Sequence, residues 1–303
     1  MNKLVFYIVY PIIWLLSKLP MWFLYILSDI FSFLIYHVFG YRKKIVVTNI
    51  KYAFLEKSEK EILEITKKFY KNLTDIAVES FKSFSISEKE ISERYTYKNP
   101  ELVNKYIKQG KSVVLVGAHL ANWEWSFGLP LVLEGSIFGT YSKLRNKAFE
   151  KKLLKTRTKF GCYGIKTTNT VAKMTENFEK KIIATYILLS DQSPRVAKTF
   201  YWSEFFGVKV PIHTGAEMLA KKFDLVVINY VTKRVKRGYY EAEFELLTEN
   251  SNAFKNYDLS EKYLRLTEKN IKKQPENYLW SHKRFKHKDS YDAWLKMKPQ
   301  IKR

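Results

Sequence analysis

The sequence predicts an α/β fold, in which one mixed β-sheet is flanked by helices and preceded by an N-terminal helical segment. Two observations predict the sheet: short apolar runs alternate with amphipathic stretches after Gly110, and the run from Leu225 to Val231 is continuously apolar. A third observation sets the N-terminus apart, because residues 4–39 are overwhelmingly apolar. We therefore expect a membrane anchor over residues 1–44 and one cytoplasmic domain over residues 45–303.

The N-terminal apolar segment is interrupted chiefly by Ser17-Lys18, Asp29 and His37. Residues 19–39 provide about the 20 residues that a transmembrane helix needs, and the basic run 41–44 that follows is typical of the cytoplasmic side. A single tilted span and a hairpin in the membrane interface both fit, and a buried soluble hairpin is a third interpretation. A cleavable signal peptide is disfavoured, because the apolar region is too long and no small-residue cleavage site follows it.

The composition is strongly basic, with 53 Lys and Arg against 30 Asp and Glu and a formal charge of +23. Such an excess favours an anionic partner, which could be nucleic acid, an acidic protein or anionic lipid headgroups. Cys162 is the only cysteine in the sequence, so neither an intrachain disulfide nor a cysteine-based metal site can form. This usage fits a reducing, cytoplasm-facing location.

Two helix starts precede the sheet. Ser58-Glu59-Lys60-Glu61 is a capping box, in which the Ser hydroxyl and the third-position Glu cap each other's backbone N–H groups. Apolar residues then recur every three or four positions and predict a helix to about Phe84. Ser87-Glu88-Lys89-Glu90 repeats the signal for a shorter helix.

After Gly110 the pattern predicts alternating strands and helices. The expected strands are 113–116, 137–141, 182–189, 225–231 and 239–247. The expected helices are 147–160, 171–180, 215–223 and 259–273. The last strand alternates apolar residues with glutamates, which indicates a half-exposed, antiparallel strand.

Several common site motifs do not occur in the sequence. It contains no G-x-S-x-G, G-x-G-x-x-G or G-x-x-x-x-G-K pattern, which argues against the usual α/β-hydrolase, dinucleotide-binding and P-loop interpretations. The five histidines, which are His37, His119, His213, His282 and His287, show no metal-binding spacing. We therefore expect neither a metal nor a cofactor.

The strongest candidate for chemistry is His119, which follows the predicted strand 113–116, together with Glu124. Positions five apart on a regular helix diverge by about 140°, so the two side chains can meet only across a turn. Such a pair can act as a base, because imidazole takes a proton from a hydroxyl while the carboxylate holds its tautomer. The alternative is that His119 caps a helix and Glu124 is a solvated charge.

The segment His119-Leu120-Ala121-Asn122-Trp123-Glu124 resembles the H-x-x-x-x-D/E motif of glycerophospholipid acyltransferases. The wider sequence resembles the late lipid A biosynthesis (lauroyl/myristoyl) acyltransferases, although Ala121 stands where that family tends to have Gly. Further matching segments extend over nearly the whole chain: Leu19-Pro20, Arg42-Lys43-Lys44, Thr48-Asn49-Ile50, Leu189-Ser190-Asp191-Gln192, Glu204-Phe205-Phe206-Gly207, Thr214-Gly215 and the block 275–286 (PENYLWSHKRFK). The block 275–286 is the most specific of these.

The resemblance implies a glycerolipid acyltransferase-like fold at the bacterial inner membrane, with the catalytic domain on the cytoplasmic face. The implied reaction moves a fatty acyl group from an acyl carrier protein thioester to a hydroxyl of a lipid A precursor. His119 would be the general base and Glu124 the group that orients it, without a cofactor. Expected substrate contacts are Asn122, Lys143, Arg145, Asp191, Gln192 and Arg284.

Some of these assignments have alternatives. Asp191-Gln192 could cap the next segment, and Arg284 could pack against Trp280 or Phe285 instead of binding phosphate. Where the family often has Tyr-Arg-Pro, this chain reads Tyr-Ser-Lys-Leu-Arg at 141–145, so Lys143 or Arg145 would have to replace the arginine. That departure leaves open another acceptor, such as an aminolipid, a phospholipid or a pigment alcohol. A membrane-tethered nucleic-acid-binding protein is the alternative from another class.

Overall fold

The computed structural model describes residues 2–297. Residue 1 of the predicted anchor and residues 298–303 of the predicted cytoplasmic domain lie outside the described residues. The helices are α1 (Asn2–Lys18), α2 (Met21–Phe33), α3 (Lys43–Ala53), α4 (Glu59–Lys82), α5 (Glu88–Arg94), α6 (Glu101–Lys108), α7 (Lys147–Arg157), α8 (Thr170–Glu179), α9 (Gly215–Lys222), α10 (Asp258–Lys273) and α11 (Tyr291–Met297). The strands are β1 (Tyr95–Tyr97), β2 (Val113–Gly117), β3 (Ser136–Tyr141), β4 (Cys162–Lys166), β5 (Ala184–Leu189), β6 (Tyr201–Phe205), β7 (Val208–Ile212), β8 (Val226–Lys236) and β9 (Tyr239–Thr248).

Seven strands form one mixed sheet, in the order β1-β9-β8-β2-β5-β3-β4. The run from β8 through β2, β5 and β3 to β4 is parallel, whereas β9 is antiparallel to β8 and pairs in parallel with β1. A separate hairpin is made of β6 and β7. The predicted α/β class with a mixed sheet flanked by helices is confirmed.

All five strands and all four helices predicted after Gly110 are present, with ends that differ by a few residues. The prediction omitted β1, β4, β6 and β7, which are three to five residues long and therefore too short to show a clear alternation. The prediction that β9 is half-exposed and antiparallel is confirmed. The strand is antiparallel to β8, and its glutamates lie on one face while Tyr240, Ala242 and Phe244 are buried on the other.

The central strand β2 is buried on both faces. Val113 and Leu115 pack in a core beneath one face, whereas Val114 and Val116 pack in a second core beneath the other. This alternation follows from the two-residue period of a strand. Because helices cover both faces, β2 reads in the sequence as a continuous apolar run.

The N-terminal helices pack against α4, which begins at the predicted capping box on Ser58 and Glu61. A π-helical turn, Leu34–Val38, extends α2. Residues 21–38 are long and apolar enough to cross a membrane, and 22% of that stretch is buried in the protein. Helix α1 also contacts α7, where the Phe6 ring packs edge-on against Phe149 at 5.1 Å between centroids.

The parallel strands bring three polar loops to one edge of the sheet. The loop after β2 carries His119, the loop after β3 carries Lys143 and Arg145, and the loop after β5 carries Asp191. Since β2, β5 and β3 are neighbours and parallel, their carboxyl ends lie side by side. This edge is where open α/β sheets usually bind their ligands.

Candidate active site at the carboxyl edge of the sheet

Strand β2 ends at Gly117, and the chain turns sharply before His119. A Cβ atom on Gly117 would lie 3.0 Å from the backbone oxygen of Tyr230, so the close packing of β8 against this residue requires glycine. The Gly117 carbonyl accepts hydrogen bonds from the Ser190 N–H at 3.0 Å and the Tyr263 hydroxyl at 2.5 Å. The end of β2 is therefore fixed to the loop that follows β5.

The block 275–286 supports the His119 turn through its backbone. The Leu279 N–H donates to the His119 carbonyl at 3.1 Å, and the Ala121 N–H donates to the Asn277 carbonyl at 2.9 Å. Leu120 and Tyr278 form an antiparallel bridge between these two bonds. The most specific segment of the sequence therefore acts first as a support for the turn that carries His119.

Asn49 and Arg42, from two N-terminal segments that match the family, hold the block 275–286 in place. Asn49 donates from its amide to the carbonyls of Trp280 and His282, both at 2.7 Å. Arg42 donates to the Ser281 carbonyl at 2.9 Å. Motif residues that are more than 200 positions apart thus meet behind the site.

His119 and Asp191 form a close pair. The Nδ1 atom of His119 lies 2.7 Å from Oδ1 of Asp191, and the side chains are 19% and 1% exposed. With Nδ1 donating to the carboxylate, Nε2 carries the lone pair and can accept a proton. The pair has the geometry of a general base with its orienting carboxylate.

The charges of His119 and Asp191 stabilise each other, so the imidazolium and the carboxylate are both favoured. Burial opposes the charged imidazole, but the charge and hydrogen bond of Asp191, with a smaller contribution from Glu124, hold the pKa of His119 above its ordinary value. Burial likewise acts to raise the pKa of Asp191, but the charge and hydrogen bond of His119 hold it below its usual range. Asp191 is therefore ionised at neutral pH and His119 is a stronger base than a free histidine.

The second oxygen of Asp191 is buried without a hydrogen-bond partner among residues 2–297, and so is the Tyr278 hydroxyl. The pKa of Tyr278 is raised well above its ordinary value, first by burial and then by the charge of Asp191. Tyr278 therefore lies close to the carboxylate and stays a neutral hydroxyl.

Glu124 is placed differently from the prediction. We expected its carboxylate to meet His119 across the turn, but it accepts two hydrogen bonds from Nη2 of Arg157, at 2.7 and 3.1 Å. Both partners are a little over a quarter exposed, so this ion pair lies at the rim. The reason is the backbone: residues 123–131 form a 3₁₀ helix that directs Glu124 towards the end of α7. Asp191 takes the position on His119 that we expected for Glu124.

Asn122 is also placed differently from the prediction. Its side chain is fully buried, donating to Glu79 Oε2 at 2.7 Å and accepting from the Trp125 N–H at 3.2 Å. Contact with substrate would require breaking these bonds, so its position fits a cap of the 3₁₀ helix. Burial raises the pKa of Glu79 to about 7, against the hydrogen bonds from Tyr240 and Tyr25 that lower it.

The remaining predicted contacts fall into two groups. Lys143 and Arg145 are exposed in the loop that leads into α7, and Gln192 is half-buried beside Asp191. Arg284, in contrast, is 1% exposed. Its guanidinium lies 4.8 Å from the ring centroid of Phe205, and Nη1 donates to the Pro211 carbonyl at 3.2 Å. The stacking partner is thus Phe205 and neither of the two rings we expected.

His282 contributes a neutral imidazole next to the pair. Its Nε2 accepts a hydrogen bond from the Ser193 N–H at 3.1 Å. Burial, opposed by the charge of Asp191 and reinforced by that of Arg284, lowers the pKa of His282 to about 4. It therefore holds the loop after β5 in place and is uncharged at neutral pH.

Sequence reasoning did not identify Arg157 or Glu79 as parts of this region. Arg157 lies in the last turn of the predicted helix 147–160, where a basic residue is common, and Glu79 lies within a long amphipathic helix. A signal for Glu79 did exist, because it stands on the apolar face of α4, where an unpaired carboxylate is costly. Within residues 2–297 no group of three or more His, Cys, Asp or Glu side chains could hold a metal ion.

Residues 1–287 match the family described as bacterial lipid A biosynthesis acyltransferase. The chain belongs to this family. The match covers the N-terminal helices, the sheet and the block 275–286. It therefore includes every residue of the site described above. A comparison with curated proteins found no match.

As a lipid A biosynthesis acyltransferase, the protein belongs to a group of bacterial membrane-associated enzymes that transfer acyl groups to lipid A-type acceptors. The family resemblance predicted from the sequence is confirmed. Membership does not assign roles to His119, Asp191 or Glu124.

Proposed function

We propose that the protein transfers a fatty acyl group from an acyl carrier protein thioester to a hydroxyl of a lipid A precursor, with His119 as the general base. The observation that supports this role is the 2.7 Å contact between His119 Nδ1 and Asp191, which leaves Nε2 available for the acceptor hydroxyl. Family membership supports the acyl transfer and the type of acceptor.

In the proposed step, Nε2 removes the proton as the hydroxyl oxygen attacks the thioester carbonyl. A tetrahedral oxyanion forms and collapses, the carbon–sulfur bond breaks, and the imidazolium returns its proton to the leaving thiolate. Asp191 is a positioning residue in this scheme, since it holds the tautomer and stabilises the imidazolium. No nucleophile from the protein is needed, because the substrate supplies the hydroxyl.

Glu124 keeps a role in this proposal through Arg157. Its negative charge contributes to the raised pKa of His119, and its two hydrogen bonds fix the guanidinium at the rim of the site. A fixed guanidinium suits either a substrate phosphate or the developing oxyanion. Lys143, Arg145 and Gln192 lie on neighbouring loops of the same sheet edge and stay candidates for substrate contact.

We place the reaction at the cytoplasmic face of the inner membrane, where the strongly basic body would meet two anionic partners. Acyl carrier proteins are acidic and lipid A precursors carry phosphates, so a formal charge of +23 favours the encounter with each. The altered segment 141–145 leaves an aminolipid, a phospholipid or a pigment alcohol as alternative acceptors.

The test uses the full chain in lipid vesicles with an acyl carrier protein thioester and a lipid A precursor, and mass spectrometry reads the product. We expect one added acyl chain with the native protein. His119→Ala should reduce the rate at least about 100-fold, because the base is lost while the positioned substrates remain. The matched control His287→Ala, outside the site, should keep the native rate.

Two results separate the parts of this proposal. Full activity in His119→Ala would overturn the assignment of the base. Acylation of another lipid of the vesicles, with the lipid A precursor unchanged, would keep the base and correct the acceptor.

A further inference from the structure

Helices α1 and α2 present a continuous apolar surface to the outside of the protein. Of the 25 large apolar side chains exposed among the described residues, 15 lie between Val5 and Tyr41. Those at least half exposed along the two helices include Ile8, Ile12, Trp22, Ile26, Ile30 and Phe33. A patch of this kind on a chain of a membrane-associated family marks a lipid-facing surface.

Both ends of α2 are attached to α4, which runs antiparallel beside it. Before α2, the Leu19 carbonyl accepts from Nζ of Lys82 at 3.2 Å. After α2 and its π-helical turn, the Tyr41 carbonyl accepts from the Tyr70 hydroxyl at 2.5 Å. If α2 crossed a bilayer, the part of α4 from Tyr70 to Lys82 would have to cross beside it.

The middle of α2 is joined to α4 by polar bonds as well. Ser28 donates to Asp75 at 2.7 Å, and the Tyr25 hydroxyl donates to Glu79 at 2.8 Å. Asp75 is further paired with Arg234 and Arg237, each at 2.6 Å. A span would therefore carry several ionised groups to the centre of the hydrocarbon, where charged side chains are strongly disfavoured.

Asp29, the carboxylate that interrupts the apolar stretch, faces the body of the protein. Arg237 donates to both of its oxygens, at 2.7 and 3.0 Å, and Nζ of Lys71 lies 3.5 Å from it. The apolar face of α2 is thus separate from its polar face, as in helices that lie along a membrane surface.

The charges that border this surface are cationic. Among residues 1–53, Asp29 is the only carboxylate, against six Lys and Arg. Lys18, the last residue of α1, and Lys44, in the first turn of α3, are both exposed. Cations at the two ends of an apolar patch match anionic lipid headgroups on either side of a shallow insertion.

We propose that α1 and α2 lie in the plane of the membrane and insert into one leaflet, without crossing it. The occupant of the apolar surface is the acyl region of that leaflet, and the turn at Lys18 and the chain at Lys44 stay on the side of the protein body. The length of residues 21–38, about 27 Å as a helix, would permit a span, but the packing against α4 opposes it.

The first experiment determines on which side of the membrane the two ends of α2 lie. Lys18→Cys and Lys44→Cys are expressed in the full chain, and intact spheroplasts and inverted membrane vesicles are treated with a membrane-impermeant maleimide. The native Cys162 gives little background, because it is buried and its pKa is raised to about 11. We expect both variants to react from the same side, in inverted vesicles only. Labelling of Lys18→Cys from the opposite side to Lys44→Cys would overturn the proposal.

The second experiment measures depth. Spin labels at Ile26→Cys, Ile30→Cys and Phe33→Cys are compared in vesicles of phosphatidylethanolamine and phosphatidylglycerol, by their accessibility to oxygen and to a polar nickel complex. An in-plane helix gives the same shallow depth at all three positions, about 5–10 Å below the headgroups. Val171→Cys, on an exposed position of α8, serves as the aqueous control.

Two depth results would contradict the proposal. One is a gradient along α2 with one label at the bilayer centre, which is the pattern of a span. The other is coupling between labels on two chains with no exposure to lipid, which would assign the surface to a second copy of the protein. Neither measurement depends on acyl transfer, so both remain valid if the proposed reaction is wrong.

Discussion

Two buried carboxylates in this protein have opposite electrostatics. Asp191 and Glu79 are both almost inaccessible to solvent. The pKa of Asp191 is lowered, because the effect of burial is outweighed by the adjacent His119. Burial raises the pKa of Glu79 to about 7, and the hydrogen bonds from the neutral Tyr240 and Tyr25 offset only part of that effect.

The difference shows how one chemical group serves two purposes. A buried carboxylate beside an imidazole is an ion pair that can change its proton distribution during a reaction. A buried carboxylate surrounded by hydroxyl and amide donors is a structural junction, which connects α2, the His119 turn and β9. Each of the following substitutions tests one side of this comparison.

The largest effect is expected from Asp191→Asn. The rate should fall about 100-fold or more, because an amide neither fixes the productive tautomer nor stabilises the imidazolium. The pH profile should change as well. A protonated His119 cannot act as a base, so activity is lost as the pH falls through its pKa. Removing Asp191 lowers that pKa, and the acid limb should therefore move to lower pH.

The control for Asp191→Asn is Asp289→Asn, which removes a carboxylate that is 83% exposed. It should leave both the rate and the acid limb as in the native protein. An unchanged acid limb in Asp191→Asn would show that the carboxylate does not control the protonation of His119.

Glu79→Gln should act mainly on stability. We expect a loss of about 1–3 kcal/mol in the free energy of unfolding at low pH. The amide NH₂ brings two hydrogens to a place where three donors meet, one hydrogen more than a protonated carboxyl group. The loss should shrink as the pH rises. A carboxyl group with a raised pKa stabilises the folded state below its unfolded pKa, and this contribution is lost as the pH rises through about 7. The glutamine has no such dependence.

Thermal melting in detergent at a series of pH values measures this difference. Glu249→Gln is the matched control, since that carboxylate is 48% exposed and also accepts from a tyrosine, Tyr106. A loss at Glu79 that stays constant from low pH to high pH would contradict the raised pKa.

Glu124→Gln should have a moderate effect on rate and a small one on stability. A partly exposed ion pair contributes about 0–1 kcal/mol, so the melting temperature should change little. The rate should fall about 10-fold, because Arg157 loses its fixed position. In a double-mutant cycle with Arg157→Gln the two losses should not add, since both break the same contact. Additive losses would separate the roles of the two residues.

The smallest effect is expected from Ala121→Gly. Ala121 has a φ of 52°, in the left-handed region that favours glycine, and it stands where the family tends to have Gly. Relief of that strain, about 1 kcal/mol, is offset by the greater freedom of glycine in the unfolded chain. Calorimetry should therefore find a change within about 1 kcal/mol, and a large loss would mean that packing of the Ala121 methyl group matters more.

The sequence was sufficient to predict the α/β class and the long strands, and it singled out His119 as the candidate base. Each of these depends on local information, namely apolar periodicity and a short motif. In the structure His119 contacts Asp191 and does not contact the predicted Glu124. Glu124 is near in sequence, whereas Asp191 is 72 positions away in the loop that follows the neighbouring strand β5. The loops that carry His119 and Asp191 meet because β2 and β5 are neighbours in the sheet. The order of the strands depends on the whole sheet, so a local sequence pattern does not predict it.

A similar limit applies to Asn122 and Arg284. Both are polar residues in matching motifs, and both are buried in the fold. Their partners, Glu79 for Asn122 and Phe205 for Arg284, come from elements that no local pattern connects to them. A motif predicts that a residue is needed, whereas the contacts decide whether it is needed for substrate or for structure.

The contact between Phe6 and Phe149 has a consequence for the kinetics of this enzyme. It joins α1, whose exposed face we propose to lie in the membrane, to α7, and α7 ends at Arg157 beside the site. If α1 lies in the leaflet as proposed, this contact brings the site close to the lipid. A lipid acceptor then reacts from within the leaflet, without transfer through water. The rate should in that case follow the mole fraction of acceptor in the bilayer, so that diluting the surface with inert lipid slows turnover even when the bulk concentration is constant.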